Sequence, residues 1–175
     1  RTSACMPTYV LLKADFSVPT SGNCFRDNLQ RFVWTVRPAT FLRRPISINY
    51  VDRQRNEVWF LIQLVGDGTK RLGEAKAGDI INVVLSAGEN CFTMPGKSPS
   101  DKLLLVGGGV GTAPMLYLGE QLAKRGCKPT FLLGARSDKD LLQLEQFAAY
   151  GEVYTTTEDW QPRREGIRNA TLHIK

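Results

Sequence analysis

Three stretches of this chain carry residue types suited to holding phosphate. The clearest is Gly107-Gly108-Gly109-Val110-Gly111-Thr112-Ala113-Pro114. It lies between an apolar run, Leu103 to Val106, and a segment with helical apolar spacing, Ala113 to Arg125. Glycines let the backbone turn sharply and let a phosphate come close. A helix N-terminus then offers free N–H groups and partial positive charge. Pro114 suits the first helical turn, where a missing N–H costs nothing. The pattern departs from G-x-G-x-x-G, because position 112 is Thr and Pro114 follows. A tight strand-to-helix turn without a ligand is the alternative, and the placement favours a nucleotide.

The second stretch is Arg43-Arg44-Pro45-Ile46-Ser47-Ile48. A guanidinium suits a pyrophosphate, and the Ser47 hydroxyl can bond a planar heterocycle. Alone, the stretch reads as an edge strand with a basic start. The third is Gly66-Asp67-Gly68-Thr69. It fits a simple hairpin turn, or a backbone nest for phosphate with the Thr69 hydroxyl helping.

The elements that must position these stretches change character near residue 100. Strands are expected over Tyr9–Lys13, Arg31–Val36, Pro45–Val51, Val58–Val65 and Ile80–Leu85, with turns at Arg53–Asn56, 66–68 and 76–79. Short strands at this spacing predict a small antiparallel barrel. After a polar linker over Lys97–Asp101, Leu103–Val106 predicts a strand buried on both faces. A helix follows over Ala113–Arg125, ended by Gly126, and then a strand over Thr130–Leu133. A second helix over Asp138–Tyr150, with Asp138 as candidate cap, and a strand over Val153–Thr157 complete the pattern. That alternation opens a doubly wound parallel sheet. The expected division is residues 1–97 as the barrel and residues 101–175 as a partial α/β domain whose C-terminal half is absent.

Composition narrows the classes. The 175 residues are 42% apolar and 23% charged, as in ordinary globular proteins. The net charge of +6 fits a mildly basic solvated surface or an anionic ligand. Arg43-Arg44 and Arg163-Arg164 are too short for a nucleic-acid stripe. No apolar run reaches the ~18 residues of a membrane span, and no secretory signal is seen, which points to the cytoplasm. Cys5, Cys24, Cys91 and Cys127 are scattered and read as free thiols, so no metal site is expected. His173 sits in the tail and is not expected to act in catalysis; Trp34, Trp59 and Met115 are read as packing residues.

Taken in order, Arg44-Pro45-Ile46-Ser47, then Gly68-Thr69, then Gly107–Pro114 resemble the ferredoxin–NADP reductase superfamily. Within it, "FLRRPISI", "VGDGTKRL" and "LLLVGGGVGTAPMLYLGEQL" are most similar to the electron-transfer subunits of two-subunit, NAD-linked dihydroorotate dehydrogenases. The resemblance covers roughly residues 40–85 and 101–159, with "LLGARSDKDLLQLEQF" and "VYTTTED" included.

The resemblance implies a flavin-binding β-barrel followed by a nucleotide-binding domain. Arg44 would hold the FAD pyrophosphate, with Pro45 fixing the backbone and Ile46 and Ser47 beside the isoalloxazine. Leu61, Ile62 and Gln63 would also touch FAD, and Gly68 and Thr69 would bind its phosphate region. Gly107, Gly108, Gly109, Gly111, Thr112 and Pro114 would receive NAD. Gly134 and Arg136, then Thr156 to Asp159 with Glu158, would line the same crevice. The implied activity is a relay: a catalytic partner subunit oxidises dihydroorotate, and FAD passes the electrons to NAD in pyrimidine biosynthesis. No catalytic side chain is assigned, because the flavin carries the redox chemistry. Arg136 leaves NAD against NADP open, since an arginine near the second strand can accept a 2′-phosphate.

The chain departs from the pattern in places. Asn28-Leu29-Gln30-Arg31-Phe32 stands where a Pro-Gly-Gln-Phe-like turn is usual, and Ser86–Phe92 is irregular. Trp160-Gln161-Pro162-Arg163 replaces the glycines that usually follow. The Cys-rich segment that holds a [2Fe–2S] cluster in the family is not in these residues, so a cluster is expected only in a fuller chain. Two other readings stay open: a reductase subunit serving a ferredoxin, hydrogenase or oxygenase, and a nucleotide-binding module without redox activity.

Overall fold

The computed structural model describes residues 9–15, 32–35, 44–79, 81–84, 92, 98–158 and 168–169. Asp159, His173, Cys5, Cys24, Cys91, the Trp34 side chain, the 28–31 and 86–91 departures and Trp160–Arg163 lie outside what it describes. The chain divides into two compact units, Arg1–Phe92 and Thr93–Lys175.

The first unit is built of antiparallel pairs. Its elements are β1 (Tyr9–Asp15), β2 (Phe32–Thr35), β3 (Pro45–Ile46), β4 (Tyr50–Asp52), β5 (Glu57–Gln63), helix α1 (Asp67–Gly73) and β6 (Asn82–Val84). One sheet has the order β1-β5-β4, the other β3-β2-β6. Among the described residues no pairing closes the two sheets into one ring. The alternation of β5 explains its central place: Val58, Phe60 and Ile62 are buried in the core, and Trp59 faces the other way, over which Lys13 Nζ sits 3.9 Å from the ring centroid.

The strand expected over Pro45–Val51 is split between the two sheets. Pro45 cannot donate to a ladder, so it fits the edge strand β3. At the corner that follows, Asn49 is fully buried and its N–H donates to the Trp59 carbonyl at 2.8 Å. The turn between β4 and β5 forms as expected. Asp52 Oδ1 accepts from the N–H groups of Gln54 and Arg55, and Asn56 takes a φ of 56°, which asparagine tolerates better than most residues.

The second unit is a parallel sheet with the order β10-β9-β8-β7. Its elements are β7 (Leu104–Gly108), α2 (Ala113–Lys124), β8 (Thr130–Ala135), α3 (Leu144–Ala148), β9 (Glu152–Thr157) and the short β10 (Arg168–Asn169). β10, which pairs with β9, had no signal in the sequence pattern. Leu116, Tyr117, Leu118 and Leu122 give α2 its buried face. The helix closes at Gly126, whose φ of +82° suits glycine at that position. Gly119 lets α2 approach the Phe131 ring closely, and Phe131 meets Phe147 of α3 edge to face at 5.1 Å. Both helices therefore cover the same side of the sheet.

Two expectations for this unit need correction. The helix expected over Asp138–Tyr150 is interrupted. A 3₁₀ turn spans Asp138–Asp140, Leu141 is extended, and Gln143 takes a φ of 59° before α3 begins. The Ser137 hydroxyl donates to Asp140 Oδ2 at 2.9 Å, the kind of local bond that favours a turn over a helix. Asp138 is thus inside the 3₁₀ turn, and Ser137 precedes it. Second, β7 is buried on one face only: Leu105 is buried, whereas Leu104 is 63% and Val106 57% exposed. The apolar run alone does not distinguish one covered face from two.

Candidate cofactor-binding sites

In the first unit the candidate residues gather at the N-terminus of α1. Gly66 to Thr69 do not form a hairpin; they start a helix. The Thr69 hydroxyl explains why. Its Oγ1 accepts from the N–H groups of Val65 (3.1 Å) and Gly66 (3.0 Å) and donates to the Gly66 carbonyl (2.9 Å). Leu72, buried, anchors the far end of the helix.

Arg44 comes to this turn from just before β3. A Cβ placed on Gly68 falls 2.7 Å from Arg44 Nε, 3.2 Å from Cζ and 3.3 Å from Nη2. Arg44 and Gly68, 24 residues apart in sequence, are therefore in contact. Gly68 is buried and Arg44 half-buried. Pro45 is exposed, and Ile46 and Ser47 are half-buried. Leu61 and Ile62 are buried in the core, so any contact they offer a ligand comes from their backbone, whereas Gln63 is half-buried. Val65, beside the turn, is 70% exposed, a feature the sequence does not signal because an apolar residue at a strand end reads as core.

The second unit places its candidates at the C-terminal ends of three adjacent strands. Gly108 of β7 lies in register with Gly134 of β8, and Gly134 with Thr156 of β9. A Cβ on Gly134 would sit 3.4 Å from the Thr156 methyl and 3.8 Å from Gly108 Cα, which is ordinary van der Waals contact, so the three strand ends lie side by side here. The glycines of the turn divide by role. Gly107 is buried, and a Cβ there would stand 2.9 Å from both the Gly111 carbonyl and Thr112 Cα. Gly109 takes a φ of 54° and its carbonyl accepts from the Thr112 hydroxyl at 2.9 Å. Gly108 and Gly111 are exposed with nothing within 4 Å of a built Cβ. Pro114 occupies the first turn of α2. Val110, Arg136 and Glu158 are exposed around the same strand ends.

The residues fit the groups they were assigned to. A guanidinium seated on a glycine matches a pyrophosphate, and an open glycine face at a helix N-terminus matches a dinucleotide. Strand ends of an open parallel sheet are also where such ligands bind.

No family model matches the sequence. The curated relatives include the electron transfer subunit of dihydroorotate dehydrogenase B (NAD(+)) from Fusobacterium nucleatum, 37% identical over 126 residues, 72% of this chain and 48% of the relative. The chain is similar to these electron-transfer subunits. It spans about half the length of the curated relatives it matches. Two solved structures share the fold of this chain. A NADH-dependent reduced ferredoxin–NADP oxidoreductase aligns with a TM-score of 0.70 at 22% identity, over 93% of this chain and 55% of that one. A ferredoxin–NADP reductase from Neisseria gonorrhoeae with bound FAD and NADP aligns at 0.66 and 17% identity, over 94% of this chain and 68% of that one. Among the described residues, no helix is long and apolar enough to cross a membrane.

Proposed function

We propose that this chain is the FAD- and NAD-binding part of an electron-transfer subunit that passes electrons between a dihydroorotate-oxidising partner and NAD. The observation that carries the proposal is the contact between Arg44 and Gly68, which brings two separate sequence motifs together at the start of α1. Relatives named for this role support it.

Each unit then has its own task. In the first, the Arg44 guanidinium binds the pyrophosphate beside the Gly68–Thr69 turn, and Ile46, Ser47 and Gln63 orient the flavin ring. Bound FAD supplies the two-electron chemistry. In the second, Gly108 and Gly111 leave their backbone open to the nucleotide, and the start of α2 offers N–H groups to its phosphates. Gly134, Arg136 and Glu158 line the remainder of the crevice. NAD is the proposed acceptor, in line with the relatives' name. Ala135 and Arg136 at the end of β8 supply no carboxylate for a ribose hydroxyl, so the preference over NADP is the finer part of the proposal.

Purification followed by FAD reconstitution tests this reading. A yellow protein with flavin absorption, bleached by NADH under anaerobic conditions, supports it. A colourless protein that takes up no FAD overturns it. Co-purification with a dihydroorotate-oxidising subunit separates this role from service to a ferredoxin, hydrogenase or oxygenase.

A further inference from the structure

We infer that Gly68 is a positioning residue: it makes room for the Arg44 guanidinium. The inference rests on the reading of Arg44 as the pyrophosphate ligand.

The glycines of the two turns differ in what surrounds them. Gly108 and Gly111 face open space, as a backbone must if a ligand is to approach it. Gly68 is buried, and the three atoms nearest its built Cβ, at 2.7–3.3 Å, all belong to Arg44. The space is already filled by the guanidinium. Gly68 is not among the glycines with positive φ, so its backbone does not demand glycine. It also lies inside α1, where alanine is the better helix former. What glycine supplies here, and alanine does not, is room for Arg44.

Thr69 completes the seat. Its hydroxyl hydrogen goes to the Gly66 carbonyl, and its oxygen accepts from Val65 and Gly66. The hydroxyl fixes the turn. A guanidinium held in place before the ligand arrives loses less freedom on binding, which raises affinity.

A double-mutant cycle on the 175-residue chain tests this, with FAD affinity read by quenching of flavin fluorescence. Gly68→Ala is expected to weaken FAD binding about tenfold, the scale of one charge-assisted hydrogen bond, with the thermal midpoint unchanged or raised. Arg44→Lys is expected to weaken binding similarly. The double variant G68A/R44K is expected to match R44K within about twofold, because lysine has no guanidinium for the new methyl to displace. Wild-type affinity in G68A overturns the inference, as does a double variant weakened by both factors. If R44K and R44A also bind FAD as the wild type does, the Arg44 assignment itself fails. If the chain takes up no FAD, ¹⁵N relaxation of Arg44 Nε still decides: an ordered guanidinium that becomes mobile in G68A supports the seat, and equal mobility overturns it.

Discussion

The Arg44 guanidinium occupies the volume that a side chain at position 68 would fill, with Nε 2.7 Å from where that Cβ would stand. The two residues come from different motifs, one entering β3 and one opening α1. Their contact makes a single cationic seat out of two weak sequence signals. Arg44→Ala is therefore expected to lower FAD affinity about tenfold to hundredfold, the cost of losing charge-assisted bonds to phosphate. The thermal midpoint should barely move, since Arg44 is only half-buried. Titration with FAD alongside a thermal melt checks both parts, and a large loss of stability would show that Arg44 acts mainly in the fold.

Thr69 gives a prediction with the opposite emphasis. Its hydroxyl makes three hydrogen bonds within the turn. Thr69→Val keeps the shape. The Val65 N–H still has the Gln63 carbonyl, and the Gly66 carbonyl still has the Lys70 N–H. The Gly66 N–H is the group that loses its acceptor, so the change should cost about 1 kcal/mol in stability, as loss of a helix cap does. Thr69→Ser should restore most of it. Urea unfolding of the three proteins decides; equal midpoints for valine and threonine would remove the hydroxyl from the account.

How much of this was legible beforehand differs by element. The β7–turn–α2 unit was readable because glycine, proline and apolar period all agree from Leu103 to Gly126. The segment 138–150 was not, because Leu141, Leu142, Leu144 and Phe147 keep a helical spacing while Ser137 and Asp140 close a local turn that breaks it. Pro45–Val51 read as one strand because apolar spacing does not reveal a corner, and only the burial of Asn49 against Trp59 marks where the chain changes sheets. At the candidate sites, the residue types were visible in the sequence. That Gly68 answers to Arg44, and that Leu61 and Ile62 are both buried, follow only from packing.

The two faces of the parallel sheet should respond unequally to truncation. Phe131 is fully buried against Gly119 and Phe147, so Phe131→Ala should cost about 3–5 kcal/mol. Leu104, on the same sheet, is 63% exposed, and Leu104→Ala should stay within about 0.5 kcal/mol. Chemical denaturation of both variants of this chain checks the contrast, and similar losses would mean that the exposed face of β7 is covered in solution.

The nucleotide turn makes the sharpest comparison, because adjacent glycines there have different reasons to be glycine. Gly107 packs against backbone, with a built Cβ 2.9 Å from the Gly111 carbonyl and from Thr112 Cα. Backbone cannot step aside as a side chain end can, so Gly107→Ala should distort the turn and cost about 1–3 kcal/mol. Gly108 meets nothing within 4 Å and is extended rather than left-handed, with a φ of −121°. Gly108→Ala should therefore fold as the wild type does, and weaken NADH binding about tenfold if the nucleotide lies on that open backbone. Thermal melts and NADH titrations of both variants separate the roles. Normal NADH affinity in a well-folded Gly108→Ala protein would move the nucleotide away from this turn.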